Sequence, residues 1–220
     1  MAPTIALVHT VPALAEHFEA LLAQRLPDAH LHHAVHEQLL QRTISDGHLS
    51  EATAHELAEV VGDVGAGADL VLVTCSTLGP AVDALAGGDG PRVVRVDEAM
   101  GREALRLGGR IGVLATLTST LEPTVGLLER LAAEEGQDVE VVAQLCEGAF
   151  EAVREGDGER HDELVRAGLD RLLDHDVEVV VLAQASMARV LDTLDEPPSV
   201  PVLSSPELAA DHVASVVAGS

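Results

Sequence analysis

The chain holds two thiols, Cys75 and Cys146, in different settings. Cys75 follows the apolar run Asp69 to Val73 and opens the small, hydroxyl-rich segment CSTLGP. A thiol between a strand and a helix N-terminus is where backbone N–H groups and the helix dipole lower its pKa toward the thiolate. Cys75 is therefore expected to be a general acid/base or a nucleophile, against the plainer expectation of a small buried side chain. Around it in the sequence pattern stand other polar residues that directly follow apolar runs: His9-Thr10, Ser76-Thr77, Thr116 and Gln184-Ala185-Ser186, with His36 and Cys146 at two further run ends. Small hydroxyl turns entering helices offer N–H and O–H donors suited to a carboxylate. For Thr116 and Ser186, an N-cap or turn hydroxyl is an equally good reading.

The elements that must position these residues follow from periodicity. Thr4 to Val8, Asp69 to Val73, Arg92 to Val96, Arg110 to Leu114, Val139 to Val142, Val177 to Leu182 and Val200 to Leu203 read as buried parallel strands. Helix-period stretches lie between them, including Pro12 to Arg25, Ser50 to Val64, Pro123 to Glu134 and Arg160 to Leu173, with Ser50 and Asp157-Gly158 as start signals. The alternation is that of an α/β fold.

The chain is also written twice. Ile5 to Leu22 matches Ile111 to Leu128, Asp69 to Leu85 matches Glu178 to Leu194, Val35-His36-Glu37 lies opposite Leu145-Cys146-Glu147, and Asp46-Gly47 opposite Asp157-Gly158. Nearly constant spacing over four blocks predicts two pseudo-symmetric parallel-sheet α/β halves, residues 1–104 with 205–220 and residues 105–204. Ligands of such sheets bind beyond the C-terminal strand ends, so the site is expected in the cleft between the halves.

Composition excludes other classes. With 13 basic and 37 acidic residues the formal net charge is −24, which opposes binding to nucleic acid or an anionic membrane. Every basic residue is arginine, so lysine Schiff-base chemistry is absent. Two phenylalanines and no Trp or Tyr leave no stacking platform for bases or flavins. Two cysteines are too few for a disulfide scaffold or a thiolate metal site, and no leader or spanning segment is evident, so a cytoplasmic protein is expected. His30, His32, His33 and His36 form a dense cluster, but the repeat places it on a strand, where the His32/His36 spacing does not converge on a metal. Gly65-Ala66-Gly67 and Gly108-Gly109 precede strands and read as helix C-caps instead of phosphate turns. Arg189 is either a surface residue or a clamp for a distal carboxylate.

The segments VLVTCSTLG and VVVLAQASMARV, together with RIGVLATLTSTLEPT opening the second half, resemble those of the aspartate/glutamate/hydantoin racemase superfamily, which includes arylmalonate decarboxylase and maleate isomerase. The resemblance covers nearly the whole chain. It implies two pseudo-symmetric halves around a small carboxylate, two cysteines acting on the α-carbon from opposite sides, and no cofactor or metal. The first family cysteine falls on Cys75, with Ser76 and Thr77 as carboxylate holders. The second falls on Gln184, which cannot exchange protons. Cys146, His9 or His36 is then expected to supply a second acid/base, or the reaction needs only one, as in decarboxylation or isomerisation. His9, Thr10, Thr116, Gln184, Ala185 and Ser186 are the expected substrate-binding residues. Two rivals remain: a carboxylate-binding protein without catalysis, and a thiol hydrolase using His9 or His36. A homo-oligomer is expected on the resemblance and on base rates.

Overall fold

The computed structural model describes residues 2–219, apart from residues 89 and 195. It contains two compact units, Met1–Glu98 with Pro206–Ser220, and Ala99–Ser205. The first unit runs β1 (Thr4–His9), α1 (Ala13–Arg25), β2 (His30–Val35), α2 (Glu37–Asp46), α3 (Glu51–Val64), β3 (Leu70–Val73), a 3-10 turn (Ser76–Leu78), α4 (Gly79–Leu85) and β4 (Arg92–Arg95). The second runs α5 (Glu98–Leu107), β5 (Arg110–Ala115), α6 (Thr118–Glu135), β6 (Glu140–Leu145), α7 (Ala149–Arg154), α8 (Gly158–Leu173), β7 (Val179–Leu182), a 3-10 segment (Ala185–Thr193) and β8 (Val202–Ser204). The chain then ends in α9 (Ser205–Ala218), most of which belongs to the first unit.

Each unit is built on a four-stranded sheet, in the order β2-β1-β3-β4 and β6-β5-β7-β8, and every pairing is parallel. Side chains alternate across a strand, so a central strand covered on both faces must be apolar throughout. In the first unit Ile5, Leu7, Leu70 and Leu72 pack with Phe18, Leu22 and Ala210, while Ala6, Val8, Val71 and Val73 pack on the other side with Leu39, Leu57 and Leu78. In the second unit Leu114, Val180 and Leu182 pack with Val165, Leu169 and Met187.

The repeat in the sequence is matched bond for bond. Thr4 N–H donates to Asp69 Oδ2 at 2.8 Å and Arg110 N–H to Glu178 Oε2 at 2.9 Å. At the other end of the sheets, His36 N–H donates to the His9 carbonyl at 2.7 Å and Cys146 N–H to the Ala115 carbonyl at 2.8 Å. Thr74 N–H on Val8 and Ala183 N–H on Leu114 are both 2.9 Å. These pairs put Thr10 opposite Thr116, and Cys75 opposite Gln184, in the two units.

The expected caps form: Ser50 accepts from Thr53 N–H, Asp157 accepts from Arg160 N–H, and α3 ends at Gly65. Several boundaries differ: β6 runs on to Leu145, and β7 and β8 each start two residues later than expected. The helix expected from Pro123 begins a turn earlier, at Thr118, because Leu117 O already accepts from Thr120 and Leu121 N–H, and Pro123 sits inside the helix. The stretch after β7, expected to mirror α4, winds instead as a 3-10 segment. Of the histidine cluster, His30, His32 and His33 lie on β2 as the repeat requires and His36 just beyond it, and among the described residues no group of three or more His, Cys, Asp or Glu could hold a metal ion. No described helix is long and apolar enough to cross a membrane.

Candidate functional site

In the first unit, β3 ends at Val73 and the chain turns through Thr74 and Cys75 into a 3-10 turn, where Leu78 N–H bonds the Cys75 carbonyl at 3.1 Å. Cys75, Ser76 and Thr77 are all buried. Burial raises the Cys75 pKa above the ordinary thiol value; the Thr10 hydroxyl, the Leu78 N–H, and the Thr77 hydroxyl and N–H pull the other way without prevailing. The depressed pKa expected from the sequence is therefore not found. The physical reason is that the thiol packs among Val73, Leu78 and Ala81, and it meets a single 3-10 turn and the seven-residue α4 in place of a long helix dipole. The four donors remain significant because each favours the thiolate once it forms.

The turn is fixed from behind. Arg95 is buried at the end of β4 and forms a two-toothed pair with Asp97, at 2.7 and 2.9 Å, while its third nitrogen reaches Asp83 on α4. Its guanidinium lies against Gly79, where an added Cβ would come within 2.2 Å of Arg95 Nη2. Only glycine lets α4 start this close to the buried ion cluster. Sequence reading missed this arrangement; the signal available was charged residues interrupting and closing the apolar run RVVRVD.

His9 is fully buried at the end of β1. Its Nδ1 is 2.8 Å from Thr74 Oγ1 and its Nε2 is 2.9 Å from His33 Nδ1, and His33 Nε2 is 2.9 Å from Glu19 Oε2 on α1. Burial, with the His33 imidazole second, lowers the His9 pKa to about 4. Both ring nitrogens of His9, expected to face the substrate, are thus engaged by partners inside the unit. His33, Glu19 and Thr74 were not singled out from the sequence. His36 stands at the start of α2 without a side-chain cap bond, and its Nδ1 meets Gln38 at 3.3 Å on the exposed side.

In the second unit the corresponding positions behave differently. The Gln184 amide closes on Thr116 through two bonds: Thr116 N–H donates to Oε1 at 2.7 Å, and Nε2 donates to Thr116 Oγ1 at 2.8 Å. Thr116 is buried, Ala185 half-buried and Ser186 exposed. Cys146 is buried under α8 in the apolar layer with Leu114 and Leu169, and a Cβ on Gly168 would meet its Sγ at 2.4 Å. Burial raises its pKa to about 11 against the opposing charge of Arg171. This packing argues against the second acid/base role expected for Cys146. Arg189 is exposed but committed to Asp162 and to the Gly158 carbonyl at 2.8 Å, so its guanidinium pins the start of α8. His161, also buried there, bonds Asp162 at 2.8 Å through Nδ1.

The fold has close counterparts. Glutamate racemase isoform RacE1 from Bacillus anthracis superposes with a TM-score of 0.73 at 18% identity, covering 99% of this chain and 82% of that one. Allantoin racemase from Klebsiella pneumoniae gives 0.67 at 20% identity, covering 99% and 88%. No curated protein matches the sequence. Residues 8–213 match the model of the Asp/Glu/Hydantoin racemase family. With nearly its full length matched and its duplicated parallel sheets in agreement, the chain belongs to the Asp/Glu/Hydantoin racemase family.

Proposed function

We propose that this protein is a cofactor-independent racemase or isomerase acting at the carbon next to the carboxylate of a small acid, amino acid or hydantoin, with Cys75 as its acid/base. The observation that carries this reading is the Cys75 environment: a buried thiol with two hydroxyls and two backbone N–H groups directed at it. The thiol is protonated at rest, and the donors hold the thiolate when a proton leaves. Ser76 and Thr77, beside Cys75, bind the polar groups of the substrate; in the second unit Thr116, Gln184 and Ser186 are the candidate binding residues. Fixed donors of this type stabilise an enediolate by about 10²–10³ in rate for each one. The reading extends to a cytoplasmic homo-oligomer.

Because Gln184 exchanges no proton, one-sided chemistry is favoured over a symmetrical two-thiol exchange. Decarboxylation or double-bond isomerisation needs one proton donor only. The Gln184–Thr116 clasp favours a second reading, a carboxylate-binding protein without turnover, since it ties up donors that a substrate would use.

The experiment is proton NMR in D₂O with a panel of α-amino acids, hydantoins, malonates and maleate, comparing the wild type with Cys75→Ala. Cysteine-dependent exchange of an α-proton, or loss of carbon dioxide with deuterium uptake, is the expected result and identifies the substrate class. Saturable binding with no exchange or bond cleavage in any member would replace this reading with the second.

A further inference from the structure

The hydrogen-bonded line Thr74–His9–His33–Glu19 crosses the first unit from a buried strand end to an exposed carboxylate. Its donor inventory has two solutions on the same heavy-atom positions. In one, Thr74 Oγ1 donates to His9 Nδ1, His9 Nε2–H donates to His33 Nδ1, and His33 Nε2–H donates to Glu19; all rings are neutral. In the other, His33 holds protons on both nitrogens, donating to Glu19 and to His9 Nε2. His9 then carries its proton on Nδ1 and donates to Thr74 Oγ1, whose own hydroxyl proton turns to the Val8 carbonyl 3.2 Å away. The two states differ by one proton, taken up at His33, and His9 remains neutral in both while changing tautomer.

We propose that His33 and Glu19 form a positioning pair that sets the tautomer of His9, and through it the direction in which Thr74 donates, so that a proton taken up at the unit's surface is read beside Cys75. The coupling is short. Thr10 and Cys75, which bond each other, directly follow His9 and Thr74 in the chain. Val8 O also accepts Thr74 N–H at 2.9 Å, so the second state doubles the last rung joining β1 to β3, and the first leaves it single.

The ionisable groups on the elements around His33 are few. β1 contributes His9; α1 contributes Glu16, His17 and Glu19, with Arg25 at its far end already paired to Glu207 and Asp211 of α9; β2 itself contributes His30 and His32. The His17 ring stands edge-on to Phe18, not His33. Glu19 alone among the acidic groups bonds the His33 ring. The neutrality of buried His9 agrees with its depressed pKa of about 4. The second unit has nothing equivalent: the repeat puts Ala115, Ala143, Val125 and Ala183 opposite His9, His33, Glu19 and Thr74. The device therefore belongs to one half of the duplicated frame, and it stands independently of the proposed reaction.

The test uses the full chain labelled with ¹⁵N-histidine, without substrate. Long-range ¹⁵N–¹H spectra from pH 8.5 to 5 are expected to show His9 passing from the Nε2–H to the Nδ1–H tautomer in step with protonation of His33. Glu19→Gln removes the charge facing His33 Nε2 and should lower the Nδ1–H fraction of His9 at the acid end of the range. His33→Leu should leave His9 in one tautomer throughout the range. A His9 tautomer that ignores His33 titration, or one that still switches in His33→Leu, would overturn the proposal. The rate of Cys75 alkylation against pH supplies the second arm. An inflection at the same pH, absent in His33→Leu, is expected; a tautomer step with no such inflection would overturn the link to Cys75. Since neither arm uses turnover, their failure leaves the Cys75 reading intact, and a failed substrate panel leaves the relay intact.

Discussion

The two units carry the same sheet, the same strand-end backbone bonds and the same carboxylate anchor beneath the first strand, yet their strand ends hold opposite chemistry. In the first, Cys75 sits among four donors, and a buried histidine line runs beside it. In the second, an amide replaces the thiol and folds back on Thr116, alanines replace the histidine line, and the only thiol is packed beneath α8. Duplication supplied a frame, and the frame tolerates the loss of titratable groups on one side because the backbone bonds fixing the strand ends do not involve them. The chemistry of this protein is thus expected to be one-sided.

The comparison breaks most visibly at Cys75. Cys75→Ala should reduce α-proton exchange by about 10²–10⁴, the usual contribution of a general acid/base, with the circular dichroism spectrum unchanged. Gly79→Ala is the largest expected stability effect. The methyl displaces Arg95 from Asp97 and Asp83, and breaking a buried ion pair costs about 3–5 kcal/mol, measurable by urea unfolding. On the second side, Gly168→Ala meets the Cys146 thiol and should cost about 1–3 kcal/mol. Adding Cys146→Ala should recover part of that loss, because the contact is one of packing.

Acid and alkali should sharpen the same contrast. His9 has its pKa lowered in the folded protein, so the unfolded chain binds the proton more readily. Stability is complete above pH 6.5 and falls as pH drops toward about 4, by at most about 3 kcal/mol for such a shift. A His9→Gln variant should lose that slope in urea midpoints measured across the window. Cys146 has its pKa raised from 9 to about 11, so the unfolded chain ionises first and stability falls as pH rises from 9 toward 11; Cys75 is raised as well and adds to this loss. Cys146→Ala should shrink the alkaline loss while leaving the acid one untouched. The smallest effect is expected at Gln184→Ala, about 1–2 kcal/mol for two bonds to Thr116 that water can partly replace.

Much of this was legible in the sequence, because buried parallel strands are written as apolar runs and a duplication repeats them. The runs around Leu70–Val73 and Val179–Leu182 locate the strand ends, and the residues after them are the polar positions just described. What stayed hidden depends on burial and on distant partners. At Cys75 the pull of the turn's N–H groups is outweighed by the apolar layer around the thiol, which no local pattern reveals. His33 and Glu19 stand 14 positions apart and meet only because α1 crosses back over β2. The closure of Gln184 onto Thr116 joins residues 68 positions apart. Arg95 falls within the expected strand Arg92 to Val96, and no local pattern shows that Asp97 and Asp83 enclose it.

One measurement bears most directly on one-sided chemistry: deuterium uptake at the α-carbon, with a substrate found in the D₂O panel, compared between Cys75→Ser and Cys146→Ser. Cys75→Ser is expected to abolish uptake and Cys146→Ser to leave it within about twofold of the wild type, well short of a general acid/base contribution. Uptake that survives in Cys75→Ser and disappears in Cys146→Ser would contradict that expectation.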